Sequence, residues 1–382
     1  MTDDVPQLTW TDDEGASHRV DWRSLAGHPP PEQVQLADDT LGAAAALRLA
    51  GAGVGLLWRG DYQNARHLLQ AMDRRLQARA ARPASAAAPA SLAQRFQADR
   101  QAQAARARLL GRLLLPFDPD HGVPLRRAPD LRAAGAAAHG PVAAPYVASL
   151  RELLGLVGAF EWRKKGVAVP ALGAAVHPHH GVFAPVRGEY VDLVAQAPLP
   201  TAAFREGAFD IGTGTGVLAA VLARRGLPVV ATDLSPSALA CAADNLRRLR
   251  VATQVDLRRA DLYPEGRAGL VVCNPPWIPA QPHSTLEAAV YDPDSRMLRG
   301  FLAGLSAHLS PGGEGWLVLS DLAEHIGLRQ RQELLGWIDA AGLRVLARLD
   351  VRPTHRRVGD RSDPLHAARA AEITSLWRLG VA

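Results

Sequence analysis

A glycine-rich turn between two different apolar patterns constrains this chain more than any other feature. Residues 207–211 form a short apolar run typical of a buried strand, and residues 217–225 continue with apolar side chains at helical spacing. Between them lie Gly212, Gly214 and Gly216. Glycine lets the backbone turn tightly and approach a ligand closely, and the start of the following helix presents unpaired amides. The pattern predicts a strand, a ligand-binding turn and a helix of an α/β fold.

An acidic residue follows the next predicted strand. Residues 227–232 are largely apolar, and Asp233 comes directly after them, where a doubly wound sheet places a carboxylate for two ribose hydroxyls. The glycine spacing is Gly-x-Gly-x-Gly, whereas a dinucleotide fold uses Gly-x-Gly-x-x-Gly to seat a pyrophosphate. The tighter spacing favours S-adenosylmethionine, which has no phosphate, over a nicotinamide or flavin dinucleotide. A purely structural turn is the alternative.

The tetrapeptide Asn274-Pro275-Pro276-Trp277 follows a third apolar run, residues 270–273. It therefore lies at the carboxyl end of a strand, where open α/β sheets bind ligands. The Asn274 side-chain carbonyl and the Pro275 backbone carbonyl can each accept one N–H of a planar nitrogen group, which turns its delocalised lone pair toward a methyl donor. Proline fixes φ and so holds the carbonyls in place. A proline turn followed by a core tryptophan is the alternative.

These three features together resemble the class I S-adenosylmethionine-dependent methyltransferases, in particular the branch whose fourth strand ends in Asn-Pro-Pro-aromatic. Release-factor glutamine methyltransferases and ribosomal-RNA guanine-N2 methyltransferases belong to that branch. The resemblance implies an α/β fold with the Rossmann-like seven-stranded mixed sheet of that family and helices on both of its faces. It also implies an enzyme that uses S-adenosyl-L-methionine to methylate a nitrogen conjugated to a ring or a carbonyl.

The resemblance also assigns roles to individual residues. The acceptor site consists of Asn274, Pro275, Pro276 and Trp277. The tryptophan stacks on the planar substrate, and catalysis rests on positioning without an obligatory protein base. The cofactor site consists of Asp210, Gly212, Thr213, Gly214, Gly216, Asp233, Leu234, Asp261, Leu262 and Asn274. Asp261 corresponds to the residue that holds the adenine amino group, and Leu262 packs on the ring; a helix-capping or turn role is the alternative for Asp261.

The segment 179–190 resembles the stretch that leads into the catalytic domain of this branch. It departs from the Pro-Arg-x-Glu-Thr-Glu run of the release-factor glutamine methyltransferases. Three histidines lie close together here, His177, His179 and His180, but no cysteine or acidic partner stands nearby in the sequence at ligand spacing. We therefore expect a loop cluster of histidines and no metal site.

Length and composition indicate a large protein without secretion or membrane signals. The chain has 382 residues, of which 48% are hydrophobic, enough for two domains with their own cores. Cys241 and Cys273 fit no disulfide framework, and no apolar run approaches the length of a membrane span. The acidic start, residues 1–4, is unlike a secretory signal. We expect a cytoplasmic protein with no membrane partner and predict nothing about its oligomeric state.

We predict three segments: an N-terminal accessory and substrate-recognition region over residues 1–140, a linking helix and strands over 141–200, and the methyltransferase domain over 201–382. Strand and helix patterns alternate over the first 80 residues. They loosely resemble the degenerate copy of the catalytic domain that guanine-N2 methyltransferases carry; a stabilising lid is the alternative. Residues 82–90 predict an Ala/Pro/Ser linker, and residues 92–115 and 143–157 predict helices.

Arginine is concentrated in one stretch of the chain. The net charge is +5, and between residues 72 and 112 two aspartates stand against nine arginines, Arg74, Arg75, Arg79, Arg82, Arg95, Arg100, Arg106, Arg108 and Arg112. Such a stretch fits a surface for RNA phosphates, and it fits a solvated helix face equally well. The leading substrate is therefore a base in ribosomal or other structured RNA. A glutamine side chain in a translation protein, a planar metabolite and a catalytically silent binding module are the alternatives, in that order.

Overall fold

The structure is a computed structural model that describes residues 5–12, 14–80, 91–282, 287–354, 359–361 and 363–382. It divides into two compact units: an N-terminal unit formed by Met1–Ala90 and Gln97–Glu161, and a C-terminal unit formed by Ser91–Phe96 and Trp162–Ala382. The predicted linker over 82–90 lies outside the described residues. Compactness does not reveal the function of a unit, so the division into an accessory region, a linking segment and a methyltransferase domain stays a prediction.

The strands of the described residues are β1 (Gln7–Thr11), β2 (Ser17–Trp22), β3 (Gln33–Ala37), β4 (Val54–Trp58), β5 (Leu113–Phe117), β6 (Tyr146–Ser149), β7 (Val167–Val169), β8 (Ala174–Val176), β9 (Ala208–Ile211), β10 (Val229–Asp233), β11 (Val255–Arg259), β12 (Ala268–Cys273), β13 (Leu309–Ser320), β14 (Leu343–Val351) and β15 (Thr374–Val381). The helices are α1 (Ala43–Gly51), α2 (Tyr62–Ala80), α3 (Leu92–Leu110), α4 (Arg132–His139), α5 (Leu150–Lys165), α6 (Glu189–Gln196), α7 (Ala203–Glu206), α8 (Val217–Arg224), α9 (Pro236–Arg248), α10 (Arg296–His308), α11 (Leu322–Ile326), α12 (Arg331–Ala340) and α13 (His366–Ala371). None of the helices within these ranges is long and apolar enough to cross a membrane.

The N-terminal unit contains a six-stranded sheet in the order β1-β2-β6-β5-β4-β3. Strands β3, β4 and β5 run parallel, while β6 pairs antiparallel with β5 and β1 forms a hairpin with β2. Trp58, Tyr146 and Met72 are among the fully buried side chains of its core. The prediction of an N-terminal α/β domain is confirmed.

Two of the predicted helices in this region are wrong in extent. The helix predicted over 92–115 ends at Leu110, because Gly111 follows and the buried leucines Leu113–Leu115 enter β5 and pair with β4. The helix predicted over 143–157 begins only at Leu150, because the fully buried residues Tyr146–Ser149 pair with β5 as strand β6. Short apolar runs fit a strand and a helix equally well, and tertiary pairing decides between them.

The C-terminal unit contains a seven-stranded sheet in the order β11-β10-β9-β12-β13-β15-β14. The first five strands in this order are parallel, and β15 pairs antiparallel with both β13 and β14. Successive residues of β9 face opposite sides, so that Ala208 packs into one core with α8 and Phe209 into another with α10. The predicted Rossmann-like seven-stranded mixed sheet with helices on both faces is confirmed.

Strand direction brings the residues of interest to one edge of this sheet. Because β9, β10, β12 and β13 are parallel, their carboxyl ends at Ile211, Asp233, Cys273 and Ser320 share an edge. Strand β15 runs the opposite way, and its first residue, Thr374, pairs with Ser320 at the same edge. Open α/β sheets bind ligands beyond the carboxyl ends of their strands.

Candidate active site

The glycine turn joins β9 to α8 in a left-handed conformation. Gly212, Gly214 and Gly216 have φ angles of 73°, 55° and 78°, which side chains with a Cβ rarely adopt. The amides of Gly212 and Thr213 both donate to the carbonyl of Thr232 in β10, which ties the turn to the neighbouring strand. The backbone conformation therefore explains why glycine occupies these positions.

The three glycines differ in what surrounds them. A Cβ at Gly212 would lie 2.6 Å from Cε of Met297, and one at Gly216 would lie 3.2 Å from Ala242. A Cβ at Gly214 would meet no atom of the described residues within 4 Å. Gly214 is thus the glycine that borders open space, where a ligand can approach the backbone.

Asp233 ends β10 beside this turn and holds its loop together. Its Oδ2 accepts the amide of Gly214 at 3.0 Å, and its Oδ1 accepts the amide of Ser235 at 2.9 Å. Each carboxylate oxygen can accept a second hydrogen bond, so that this half-buried side chain can bind two further donors such as ribose hydroxyls. Leu234, the next residue, is 55% exposed.

Asp210 lies beneath the turn and supports it. Its Oδ2 accepts the Thr213 hydroxyl at 2.7 Å and the Ala219 amide at 3.0 Å. The side chain is buried, and burial raises its pKa to about 6. The nearby Asp233 also raises this pKa, whereas the two hydrogen bonds lower it. A contact of Asp210 with the cofactor stays a prediction; what the structure shows is a carboxyl group that joins the turn to α8.

Asp261 and Leu262 lie beyond β11 at the same edge. Asp261 is exposed, and its Oδ2 accepts Nη2 of Arg296 at 3.1 Å. Leu262 has a φ of 71°, an uncommon conformation for a leucine, and its carbonyl accepts the Thr232 hydroxyl at 2.6 Å. The surrounding structure must hold a non-glycine residue in such a conformation, and residues of this kind cluster at ligand sites.

The Asn-Pro-Pro-Trp motif follows β12, and two of its side chains are hydrogen-bonded to each other. The indole Nε1 of Trp277 donates to Oδ1 of Asn274 at 2.8 Å. Pro275 is buried, whereas Asn274 and Trp277 are half-buried. An amide oxygen has two lone pairs, so Oδ1 can still accept one more N–H.

The residues around Trp277 were not identified from the sequence. The guanidinium carbon of Arg187 lies 4.7 Å from the centroid of its ring, and Tyr190 meets the ring edge-on at 6.4 Å. Arg187 and Tyr190 stand in the segment 179–190 that the resemblance marked, but nothing in the sequence indicates which residue they contact. Only the folded chain brings them to the motif.

Asp292 is a buried acid near the motif that the sequence pattern does not indicate. Asp292 accepts the amides of Met297 and Leu298 at 3.0 and 3.1 Å and so caps the start of α10, and burial raises its pKa. The amide of Asp292 in turn donates to Ile278, directly after the motif. Asp294 and Ser295, with φ of 54° and 53°, form the turn that allows this contact.

The histidines and cysteines take structural positions. His177 Nδ1 lies 2.7 Å from the Arg163 carbonyl oxygen and His179 Nε2 lies 3.3 Å from Oδ2 of Asp244. Across the part of the chain that the structure describes, no group of three or more His, Cys, Asp or Glu side chains could hold a metal ion. Cys241 and Cys273 are free and buried; burial raises the pKa of Cys241 to about 11 and the pKa of Cys273 well above its usual value.

These features fit S-adenosylmethionine as a ligand of the sheet edge. Gly214 leaves open space at the turn, and the carboxylate of Asp233 has acceptor capacity for ribose hydroxyls. The strand order, the turn after β9 and the motif after β12 together define a class I S-adenosylmethionine-dependent methyltransferase domain, with S-adenosylmethionine as its cofactor.

Residues 173–330 match the family model described as the methyltransferase small domain. The release factor glutamine methyltransferase of Cereibacter sphaeroides is 38% identical over 160 residues, which cover 38% of this chain and 54% of the relative. The ribosomal protein L11 methyltransferase of Chelativorans sp. (strain BNC1) is 33% identical over 132 residues, which cover 34% of this chain and 40% of the relative.

The chain thus spans about half the length, or less, of these curated relatives. Among solved structures, a methyltransferase from Pyrococcus furiosus matches with a TM-score of 0.38 and 18% identity, covering 59% of this chain and 98% of that one. A ribosomal protein L11 methylase from Lactobacillus delbrueckii subsp. bulgaricus matches with a TM-score of 0.35 and 18% identity, covering 52% of this chain and 81% of that one.

Proposed function

We propose that the protein is a cytoplasmic enzyme that transfers a methyl group from S-adenosylmethionine to a planar, conjugated nitrogen, with a base in structured RNA as the leading acceptor. One observation carries the reaction type. Cys273, the last residue of β12, pairs in register with Ile211, the last residue of β9. Asn274 and Gly212 therefore follow adjacent strands, whose spacing is about 4.8 Å. A cofactor at the turn and a nitrogen bound to Asn274 would be neighbours.

The cofactor half of the site would use the residues at the ends of the strands. Asp233 would accept two ribose hydroxyls, Gly214 would give the ligand room, and Asp261 with Leu262 would bind the adenine. Asp210 would keep the turn in shape, since its Oδ2 already accepts hydrogen bonds from Thr213 and Ala219. When bound, S-adenosylmethionine supplies an electrophilic methyl group.

The acceptor half would use the Asn-Pro-Pro-Trp motif. An N–H of the substrate would donate to Oδ1 of Asn274 and a second one to the carbonyl of Pro275, so that the nitrogen lone pair points away from both. Pro276 would stiffen the loop because its φ is fixed. Trp277 would stack on the planar acceptor group. Such a site accelerates transfer by positioning, which is worth a large share of many enzymatic barriers.

The charge on the N-terminal unit supports RNA as the acceptor. Arg74, Arg75 and Arg79 in the second half of α2 are exposed, as is Arg108 in α3. Arg106 differs from them because it pairs with Asp73 through Nε at 2.5 Å and Nη2 at 2.6 Å. An exposed group of arginines can neutralise phosphates without reading a sequence.

The names of the relatives support a second acceptor, a glutamine side chain of a translation protein. Several relatives at 35–38% identity are named release factor glutamine methyltransferases. A glutamine carboxamide has the same planar, delocalised nitrogen as an exocyclic base amine. The motif geometry therefore accommodates both acceptors, and the basic helices favour RNA.

Transfer from radiolabelled S-adenosylmethionine distinguishes these acceptors. The protein is incubated with extract of cells that lack its gene, and label is counted in separated RNA, protein and small-molecule fractions. We expect label in RNA, and none when Asn274→Ala replaces the wild type. The variant should bind the cofactor within a few-fold of the wild type, as measured by calorimetry. Label in a protein band would contradict RNA as the acceptor and support a glutamine side chain instead. Undiminished transfer by Asn274→Ala would overturn the proposed role of the motif.

A further inference from the structure

A cation–π contact and an edge-on aromatic contact hold the ring of Trp277 within the C-terminal unit. The Arg187 guanidinium packs over one face, with its carbon 4.7 Å from the ring centroid, and Tyr190 packs edge-on with an interplanar angle of 90°. A guanidinium over an indole face is an attractive arrangement, and tryptophan is the most favourable aromatic partner for it. The ring face under Arg187 is therefore already covered.

Arg187 is itself held by two carboxylates. Its Nε donates to Glu189 and its Nη2 donates to Glu372, each at 2.9 Å. The side chain of Arg187 is 16% exposed, that of Glu189 is 9% exposed and that of Glu372 is 0% exposed. Glu372 also accepts the hydroxyl of Ser320 at 2.5 Å. Since Ser320 ends β13 and Glu372 lies just before β15, the sheet edge sets the position of the guanidinium.

The Trp277 ring in turn sets the orientation of Asn274. An asparagine amide presents an acceptor oxygen on one side and a donor NH2 group on the other, and the two ends have nearly the same shape. The indole N–H, 2.8 Å from Oδ1, can only donate, so it selects the orientation in which the oxygen faces it. A reversed amide would meet a substrate N–H with another donor.

We infer that Arg187 is a positioning residue: held by Glu189 and Glu372, it keeps the Trp277 ring in place so that the indole N–H orients the Asn274 carbonyl. The inference rests on the proposed function only for its effect on turnover. The arrangement itself is a property of the folded chain and can be measured without any methyl acceptor.

The first measurement is the indole N–H signal of Trp277 in protein labelled with ¹⁵N-tryptophan. The chain has eight tryptophans, and the signal that disappears in Trp277→Phe identifies the residue. Arg187→Met removes the guanidinium while it keeps a long side chain. We expect the Trp277 signal to shift and its hydrogen exchange to accelerate about tenfold, as the removal of one cation–π interaction predicts.

A matched control removes a similar interaction elsewhere in the same unit. The Arg299 guanidinium lies 5.6 Å from the ring centroid of Trp337. Arg299→Met should leave the Trp277 signal unchanged. Arg187→Lys keeps a charge between the two carboxylates but lacks the planar face, so it should give an intermediate shift; it also decides the question if Arg187→Met does not fold. A Trp277 signal that stays at its wild-type position in the folded Arg187 variants would overturn the inference.

Turnover gives the second readout. In Arg187→Met we expect kcat to fall about tenfold while the Kd for S-adenosylmethionine stays within a few-fold, because the variant disturbs the acceptor side alone. Arg187→Lys should recover part of the loss. An equal loss of cofactor binding would contradict a positioning role. Absence of methyl transfer by the wild type to any fraction would count against the proposed function instead, and the indole signal would still decide the role of Arg187.

Discussion

The indole N–H of Trp277 and the side-chain oxygen of Asn274 are 2.8 Å apart, and that oxygen is the acceptor which the proposed reaction requires. The tryptophan therefore has a hydrogen-bonding role in addition to that of a flat apolar surface. Phenylalanine offers the surface without the donor, and tyrosine places its hydroxyl at a different position on the ring. The identity of this aromatic residue consequently affects the orientation of the asparagine.

Trp277→Phe should lower kcat about three- to tenfold, which corresponds to the loss of one net hydrogen bond. The Kd for S-adenosylmethionine should change little, because the ring is retained and the glycine turn is untouched. Steady-state kinetics with the acceptor found by radiolabelling would measure this. Trp337→Phe, in α12, is the matched control and should retain wild-type kinetics. A Trp277→Phe enzyme as fast as the wild type would show that the N–H donor is dispensable.

Gly214→Ala and Gly216→Ala should differ in effect although both force alanine into a left-handed conformation. That conformation costs about 1–2 kcal/mol in each variant. Only the Gly216 methyl group also crowds Ala242, at 3.2 Å, so Gly216→Ala should be the less stable protein. The Gly214 methyl group points into open space, so Gly214→Ala should mainly weaken S-adenosylmethionine binding. Thermal unfolding and calorimetric titration would separate the two effects, and equal losses of affinity at equal stability would contradict this assignment.

Asp210→Asn should change the dependence of stability on pH. Burial raises the pKa of Asp210 from 3.8 to about 6, so between these values the folded state binds more protons than the unfolded state. The free energy of unfolding therefore falls as pH rises through this window and levels off above it. Asparagine does not ionise. The variant should gain about 2 kcal/mol relative to the wild type between pH 4 and pH 7, as urea unfolding at several pH values would show.

A control of opposite sign is available for that experiment. The pKa of Asp244 is lowered, with His179 and Arg248 as the favourable partners acting against burial. The wild-type aspartate therefore contributes stability above its unfolded pKa, and this contribution is lost as pH falls. Asp244→Asn should lose stability relative to the wild type as pH rises. Curves for the two variants that run parallel to each other would contradict both assignments.

Removal of the exposed arginines of α2 tests the RNA proposal. Replacement of Arg74, Arg75 and Arg79 by alanine should weaken RNA binding. It should also reduce the slope of log K against log salt by about 0.7–0.9 for each phosphate that the protein no longer neutralises. Fluorescence anisotropy at several salt concentrations would measure this. The control variant, with alanine at Arg247, Arg250 and Arg344, removes the same number of charges from the C-terminal unit. Equal slopes for all three proteins would speak against an RNA surface on α2.

The sequence was sufficient to predict three of the strands that end at the common edge of the sheet. Apolar runs identified β9, β10 and β12, and because parallel strands end together, Gly212, Asp233 and Asn274 were expected at one edge, as the register shows. Local chemistry was enough here, since glycine, proline and a carboxylate each have strong positional preferences. The roles of these residues stay predictions until binding and transfer are measured.

The contacts that orient the site could not be predicted in the same way. Arg187 and Glu372 are far apart in sequence, and their ion pair exists only because β15 returns antiparallel to the same edge. The indole N–H of Trp277 likewise gave no signal of its target, since stacking explained the residue equally well. The strand β6 was missed because its apolar residues also fit the helix that follows them.

Because both thiols are buried, we expect the native protein to react slowly with sulfhydryl reagents. Cys241 and Cys273 are fully buried, and burial raises the pKa of both, so little reactive thiolate is present at neutral pH. A cysteine introduced on the surface could thus carry a fluorophore or a spin label without background from the native pair. Conversely, the rate at which Cys273 is labelled would report on the opening of the sheet, because this residue lies at the end of β12, directly before Asn274.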